Sequence, residues 1–216
     1  MIKRMSILVR RPQDDRAIFS EYWQGIHGGL VRNLPGIRCY IQNHIQEDFK
    51  SPLEAPGVYA ADGFVELYFD DDKTMVQAFS SEGAKALLTD EPNFLGHGTT
   101  YVIGGDHKPI DPITDAKLVL VAGSGEIGRS LPGLEALATA LPDIRNCERN
   151  YVGTIIPKQT MAKGPQPVKA FLHLRFAERE AARQAARSIA LSDEAMLRHE
   201  GLIFLGVHRV EERRVV

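Results

Sequence analysis

Cysteine is scarce in this 216-residue chain: the two present, Cys39 and Cys147, lie far apart and outside any CxxC spacing. Such usage fits a reducing compartment better than a disulfide-stapled secreted fold. An excess of charge of one sign is also missing, since 26 Lys and Arg face 28 Asp and Glu for a formal net charge of -2. No global field then draws the chain to a polyanion, and no nucleic-acid partner is expected. No apolar run approaches the roughly 18 to 20 residues that cross a bilayer. The start, Met1-Ile2-Lys3-Arg4-Met5, lacks the apolar stretch of a secretory signal. A cytoplasmic protein without a membrane partner is the expectation. The seven histidines (His27, His44, His97, His107, His173, His199, His208) show no HxxxH or HExxH spacing, so no metal is expected. Gly123-Ser124-Gly125 is not a GxSxG elbow, which leaves a serine hydrolase without support. What the chain does have, 44% hydrophobic and 25% charged residues, is enough to bury a sizeable core and excludes disorder, collagen and coiled coil.

The sequence repeats. Leu34-Pro35-Gly36-Ile37-Arg38 returns as Leu141-Pro142-Asp143-Ile144-Arg145. The same offset carries Asn43 to Asn150, and Phe64, Leu67 and Phe69 to Phe171, Leu174 and Phe176. A short motif and a distant aromatic triplet sharing one offset point to a duplicated unit. The first copy occupies residues 1–105, a linker with Pro109 and Pro112 occupies 106–115, and the second copy occupies 116–216.

Each copy reads strand, helix, strand, strand, helix, strand. Arg4 to Arg10 alternates Met5, Ile7 and Val9 with Arg4, Ser6 and Arg10, a period-two strand that Pro12 ends. Asp14 or Asp15 caps the helix that follows, and Gly28-Gly29 is its stop signal. Further strands are expected at Ile37 to about Ile45, Phe64 to Phe69 and Thr99 to Ile103. A loop spans Ser51 to Gly57, and one helix spans Thr74 to Leu88 behind Asp70-Asp71-Asp72, which reads as a cap rather than a metal site. The second copy predicts strands at Lys117 to Ala122, Ile144 to Val152, Val168 to Phe176 and Leu202 to Val210, and helices at Pro132 to Ala140 and Glu178 to about Ala190. The order βαββαβ, twice, is the ferredoxin-like arrangement. Its bare sheet face needs covering, and the second copy can cover it sheet to sheet. The expected fold class is therefore α+β, a single-chain α+β barrel of two ferredoxin-like repeats that need not dimerise to fold, with homo-oligomers still open.

The first helix carries the chemistry. Phe19, Trp23, His27 and Leu30 recur at spacings of four, four and three, one side of a helix, with Tyr22 and Ile26 beside them. His27 then reads either as a core histidine satisfied by a carbonyl or as a partly desolvated, neutral acid/base group. At the common offset it aligns with Leu134, so the fold alone does not demand a histidine there. On the next strand Tyr40, Gln42 and His44 alternate with Cys39, Ile41 and Asn43, and the sequence leaves open which set faces a pocket.

The run Phe19-x-x-Tyr22-Trp23-x-x-x-His27, then Leu30-Val31, Leu34-Pro35-Gly36-Ile37 and Tyr40-Ile41-Gln42-Asn43-His44, resembles the EthD family of dimeric α+β barrel proteins, as do Ser80-Ser81-Glu82-Gly83 and Asp90-Glu91-Pro92-Asn93-Phe94. The resemblance covers residues 3 to 105, and the second copy is a degenerate relative. It implies a pocket between helices and sheet for a small apolar or aromatic molecule. It also implies His27 as acid/base group with Tyr40 or His44 as a second polar group, and Tyr22, Trp23, Phe19 and Phe94 shaping the pocket. The function it implies is a cofactor-independent lyase or isomerase of aromatic or catabolic metabolism. A non-catalytic binding protein for a hydrophobic metabolite, or a heme-binding barrel with His27 or His44 as ligand, stands as the alternative. A competing signal, Gly123-Ser124-Gly125-Glu126-Ile127-Gly128 after a strand with Glu148 beyond it, spells the dinucleotide fingerprint GxGxxG, but Pro132-Gly133 interrupts the helix it requires.

Overall fold

The computed structural model describes residues 1–49, 60–110, 116–124, 141–157, 168–190 and 202–216. The loop expected at Ser51 to Gly57, the Pro112 part of the linker, the last four residues of the GxGxxG run and the Pro132 to Ala140 helix with Leu134 lie outside the described residues. Eight strands, β1 (Ile2–Arg10), β2 (Ile37–Phe49), β3 (Gly63–Phe69), β4 (Leu95–Ile103), β5 (Lys117–Ser124), β6 (Ile144–Pro157), β7 (Ala170–Phe176) and β8 (Leu202–Arg214), close into an antiparallel barrel. Their order is β1-β3-β2-β8-β5-β7-β6-β4. Within each set of four, the strands run fourth, first, third, second.

The two sets meet edge to edge as well as face to face. β2 pairs with β8 from Ile41↔Arg214 to Phe49↔Val207, and β4 pairs with β6 from Thr99↔Pro157 to Ile103↔Val152. These seams explain why β2, β6 and β8 outrun their sequence signals, because the added residues find ladder partners across the joint and no edge is left open. β5 runs antiparallel to both β7 and β8. A dinucleotide-binding βαβ unit needs a parallel neighbour there, so the GxGxxG match is fortuitous.

Period-two alternation sorts the side chains. Met5, Ile7, Phe64, Tyr101, Val119, Val121 and Phe171 fill the barrel interior. Leu8, Tyr40, Val65, Leu67 and Phe69 point outward into a layer of helices that brings Phe19, Trp23, Met75, Leu87 and Phe94. The second set has its own outer layer, under α5 (Arg179–Ala190), which buries Ala182, Ala185, Ala186 and Ile189. The repeated turn has a common backbone cause: Gly36 has φ 73° and Asp143 φ 61°, left-handed positions that glycine and aspartate tolerate best.

Asp15 caps α1 (Arg16–Tyr22), its carboxylate accepting from the Ile18 amide at 2.8 Å. The expected stop at Gly28-Gly29 is not one. The chain passes through a π turn, Trp23–His27, and continues as α2 (Gly28–Val31). Gly28 is closely packed, since a Cβ there would sit 3.3 Å from both Gln42 Nε2 and the Trp23 carbonyl. The turn also corrects the stripe: Phe19, Trp23 and His27 are buried, but Ile26 is 58% exposed. A turn closed from i to i+5 holds more residues than an α turn, so i+3 leaves the buried line while i+4 stays on it. The single helix expected over Thr74 to Leu88 is two, α3 (Asp72–Phe79), capped by Asp71, and α4 (Glu82–Asp90). Ser80 and Ser81 break it, with the Ser81 hydroxyl taking the Ala84 amide as the cap of α4.

Candidate active site

α1 ends at Tyr22 and α4 ends at Asp90, and the Asp90 carboxylate ties them together. The Tyr22 hydroxyl donates to Oδ1 at 2.7 Å, and His27 Nδ1 lies 2.9 Å from Oδ2. Burial pushes the Asp90 carboxyl up, but hydrogen bonds from Tyr22 and His27 outweigh it and hold the group below its ordinary value. An ionised carboxylate only accepts, so the shared proton sits on His27 Nδ1 and the tautomer is fixed. Phe94 closes the cluster, 4.7 Å from the His27 ring, 5.4 Å from Tyr22 and 5.8 Å from Phe19 between centroids.

Which face of β2 meets the helices is now settled: Tyr40, Gln42 and His44 do, and Asn43 points into the barrel, donating to Glu66 at 2.8 Å. Trp23 Nε1 and Gln42 Nε2 both donate to the Tyr40 oxygen, at 2.9 and 2.7 Å. Burial pushes the Tyr40 phenol well up, so it keeps its proton and can donate it to a group in the cavity it lines. That cavity, about 40 Å³, is also lined by His27, Arg4, Ser6 and Glu91. His27 and Tyr40 therefore come together.

His44 does not join them. Its ring lies 4.4 Å from Trp23, its Nδ1 accepts from Ser20 Oγ at 2.7 Å, and its Nε2 donates to Gln42 Oε1 at 3.0 Å. Gln42 spends its amide nitrogen on Tyr40 and on the Trp23 carbonyl, which leaves its oxygen as acceptor and fixes these directions. Burial, helped by Arg213, pushes His44 down to about 3, a neutral ring with both nitrogens committed.

Two groups escaped sequence reasoning. Arg4 is there only a polar member of the period-two alternation, yet its guanidinium is buried 3.5 Å over the Phe79 ring, and burial lowers it to about 10 against the pull of Glu91. The signal was Leu8, an apolar residue on the same strand face. The second is a charged cluster inside the barrel. Lys3 Nζ bridges Glu66 and Glu148 at 2.7 and 2.6 Å, Lys117 Nζ bridges Glu66 and Glu212 at 2.8 and 2.6 Å, and Arg175 reaches Glu212 at 2.6 Å. His173, fully buried, lies 3.2 Å from Glu148. Glu66, Glu148 and His173 place ligand-type atoms within 4.8 Å of one another, but the two ammonium groups already occupy that centre.

Gly63, on β3, explains how Trp23 fits. A Cβ there would lie 2.4 Å from Cζ3 of the indole. Gly63→Ala should force the ring off its place and cost about 1 to 3 kcal/mol, the usual range for overpacking. Trp23 is the chain's only tryptophan, so its fluorescence reads the shift directly. An unchanged emission spectrum and urea midpoint would show that the ring has room the packing does not suggest.

A closed α+β barrel with a histidine–aspartate pair under one helix layer is the class of protein defined so far. Residues 11–98 match the family model of the EthD domain. The chain is 27% identical over 99 residues to an uncharacterised 11.0 kDa protein of Rhodococcus erythropolis from the thcB-thcC intergenic region, covering 46% of this chain and 89% of that one. An anthrone oxidase-like protein superposes over 99% of this chain and 93% of its own with a TM-score of 0.61 at 8% identity. A DypB variant of Rhodococcus jostii in complex with heme covers 97% and 93% with a TM-score of 0.56 at 9% identity. At such identities the two structures share the barrel fold with this chain. Among the described residues no helix is long and apolar enough to cross a membrane.

Proposed function

We propose that the chain is a cofactor-independent lyase or isomerase acting on a small cyclic or aromatic metabolite, with His27 moving the proton and Tyr40 donating a hydrogen bond to the substrate oxygen. The observation that carries this reading is the Tyr22–Asp90–His27 constellation opening on the cavity that Tyr40 lines. In such a site Asp90 holds the imidazole in the Nδ1–H form and steadies the imidazolium that forms when Nε2 takes a proton. Leu8, Val31, Val65, Leu67 and Leu95 supply the cavity's apolar wall, while Phe94 packs on the His27 ring and Phe19 and Trp23 lie behind it rather than in the cavity lining. A cavity of about 150 Å³ is what holds a benzene ring. The present 40 Å³ suits one or two waters, so binding must part α4 and the Phe94 segment from α1.

The arrangement fits heme poorly at either proposed histidine. His44 has spent both nitrogens, and the space beside His27 is far smaller than a macrocycle. The same pocket serves a binding protein that performs no turnover, and only product formation separates the two readings.

The duplication belongs to the same proposal, with copies at 1–105 and 116–216 joined through 106–115. Lys3 faces Tyr68 across β1 and β3 as Lys117 faces Arg175 across β5 and β7, and Tyr68 and Arg175 stand at the common offset of the repeat. With the seams closed within one chain, the protein should fold without a partner copy and act in the cytoplasm.

Native mass spectrometry of gently purified protein, then release of bound small molecules, supplies candidate substrates, and product formation is followed with the wild type and His27→Asn. Loss of about 10² to 10⁴ in turnover is expected for the variant. Unchanged turnover in His27→Asn would end the acid/base reading, and ligand capture without any product would leave the binding protein.

A further inference from the structure

Two described cavities exceed the one beside His27: one of about 330 Å³ beside Phe19, Ser20 and His44, and a larger one. The larger lies at the mouth of the barrel, about 430 Å³, where β1, β2 and β8 meet the start of α1. Ligand pockets fall in the range of roughly 300 to 1,000 Å³.

Three arginines line it, and each is held by carboxylates that leave part of its fork uncommitted. Arg10 gives Nη1 to Asp62 and Nε to the Asp14 carbonyl. Arg11 gives Nε and Nη2 to the Asp14 carboxylate at 2.8 and 3.1 Å. Arg16 gives Nε to Asp62 at 3.1 Å and Nη2 to Asp48 at 2.6 Å. Arg10 Nη2, Arg11 Nη1 and Arg16 Nη1 have no partner among the described residues. Side-chain exposures of 33 to 37% show that all three guanidiniums reach solvent. Asp48 is itself anchored by His208 Nδ1 at 2.7 Å, its cross-strand neighbour in the β2–β8 seam. The opposite wall, with Phe49 and Leu205, is apolar.

We propose that this mouth is a second ligand site, independent of His27, that takes a small monocarboxylate with an apolar or aromatic body. Pre-placed guanidinium donors match the planar carboxylate fork. Three arginines against Asp14, Asp48 and Asp62 make the mouth neutral overall, so what would hold the ligand is the uncommitted N–H donors matching one carboxylate fork, and no net positive field favours a dianion. Phe49 and Leu205 receive the ligand's body.

The test is calorimetric titration of the full chain with benzoate, its neutral isostere benzamide and inorganic phosphate. Benzoate should bind roughly tenfold or more tightly than benzamide, since charge-assisted hydrogen bonds are lost with the amide. Phosphate should bind more weakly than benzoate. Arg11→Gln should weaken benzoate by a similar factor, and Ala60→Trp, at an exposed position on the rim, should block it while leaving every charge in place. His27→Asn should bind benzoate as the wild type does, which separates this site from the one proposed above. Equal affinity for benzoate and benzamide, no benzoate binding, wild-type binding in both mouth variants, or loss in His27→Asn would each overturn the proposal.

Discussion

Glu66→Gln should destabilise the protein by about 3 to 5 kcal/mol at pH 7, as expected when one partner of a buried ion pair is removed and the other charge is left. Lys3, Lys117 and Arg175 balance Glu66, Glu148 and Glu212 inside the barrel, and His173 stays neutral because burial, with Lys117 beside it, pushes it down. Losing the Glu66 charge leaves two ammonium groups sharing the remaining carboxylates, and the Asn43 and Tyr68 hydrogen bonds at 2.8 and 3.0 Å weaken with it. Urea midpoints of wild type and variant measure the difference. Removing a matching cation, as in the double variant Lys3→Met with Glu66→Gln, should recover part of the loss, since the interior is neutral again. A Glu66→Gln midpoint within about 0.5 kcal/mol of wild type, the range of ordinary surface changes, would show that the cluster contributes nothing as an ion network.

The same cluster sets a pH dependence with a definite sign. Burial pushes Glu66 and Glu148 up, but Lys117 and Lys3 at the first and His173 and Lys3 at the second pull them down, Glu148 to about 2. Carboxyls depressed in the folded state add stability that is complete above their unfolded value of 4.5 and is lost as pH falls toward the folded value. His173, depressed from 6.5, acts in the same direction, because protonation below that value favours the unfolded chain. Wild-type stability should therefore begin to fall near pH 6.5 and fall further below about 4.5. Glu66→Gln should lose less over the acid part of that range. Equal slopes in the two proteins between pH 5 and 3 would contradict the assignment.

Much of this architecture is legible in the chain because strands and caps are local. The alternation of Met5, Ile7 and Val9, the Asp15 cap and the turn residues Gly36 and Asp143 each act within a few positions, and the chain follows them. The seams were not legible, since the pairing of β2 with β8 depends on residues more than 150 positions apart. The interior cluster was hidden for a similar reason. Lys3 lies one residue before the strand expected from Arg4, and Lys117 opens another, and only barrel closure shows that both face carboxylates from other strands. At the helix site the stripe named Phe19, Trp23 and His27 rightly as buried neighbours, and it missed Asp90 because a carboxylate 63 residues away leaves no trace in periodicity. The π turn that drops Ile26 from the stripe is equally silent in an i, i+4 count.

Asp90→Asn should reduce turnover by about 10² to 10⁴, close to the effect of changing His27 itself, although Asp90 is a positioning residue that need not touch substrate. Asparagine keeps the size of the side chain and loses the guarantee that both terminal atoms accept. The Tyr22 hydroxyl and His27 Nδ1–H both need an acceptor, and an amide offers one oxygen and one NH2. If the oxygen goes to Tyr22, the NH2 faces His27 and favours the tautomer with the proton on Nε2, which can no longer take one from a substrate. Turnover and tautomer should then fail together. Long-range proton–nitrogen NMR of the imidazole reads the tautomer without any substrate: Nδ1–H in the wild type, a shift toward Nε2–H in Asp90→Asn, and the wild-type pattern in Tyr22→Phe, where Asp90 remains. A tautomer unchanged in Asp90→Asn would mean that something other than this carboxylate orients His27. An altered tautomer with undiminished turnover would mean that His27 is not the group that moves the proton.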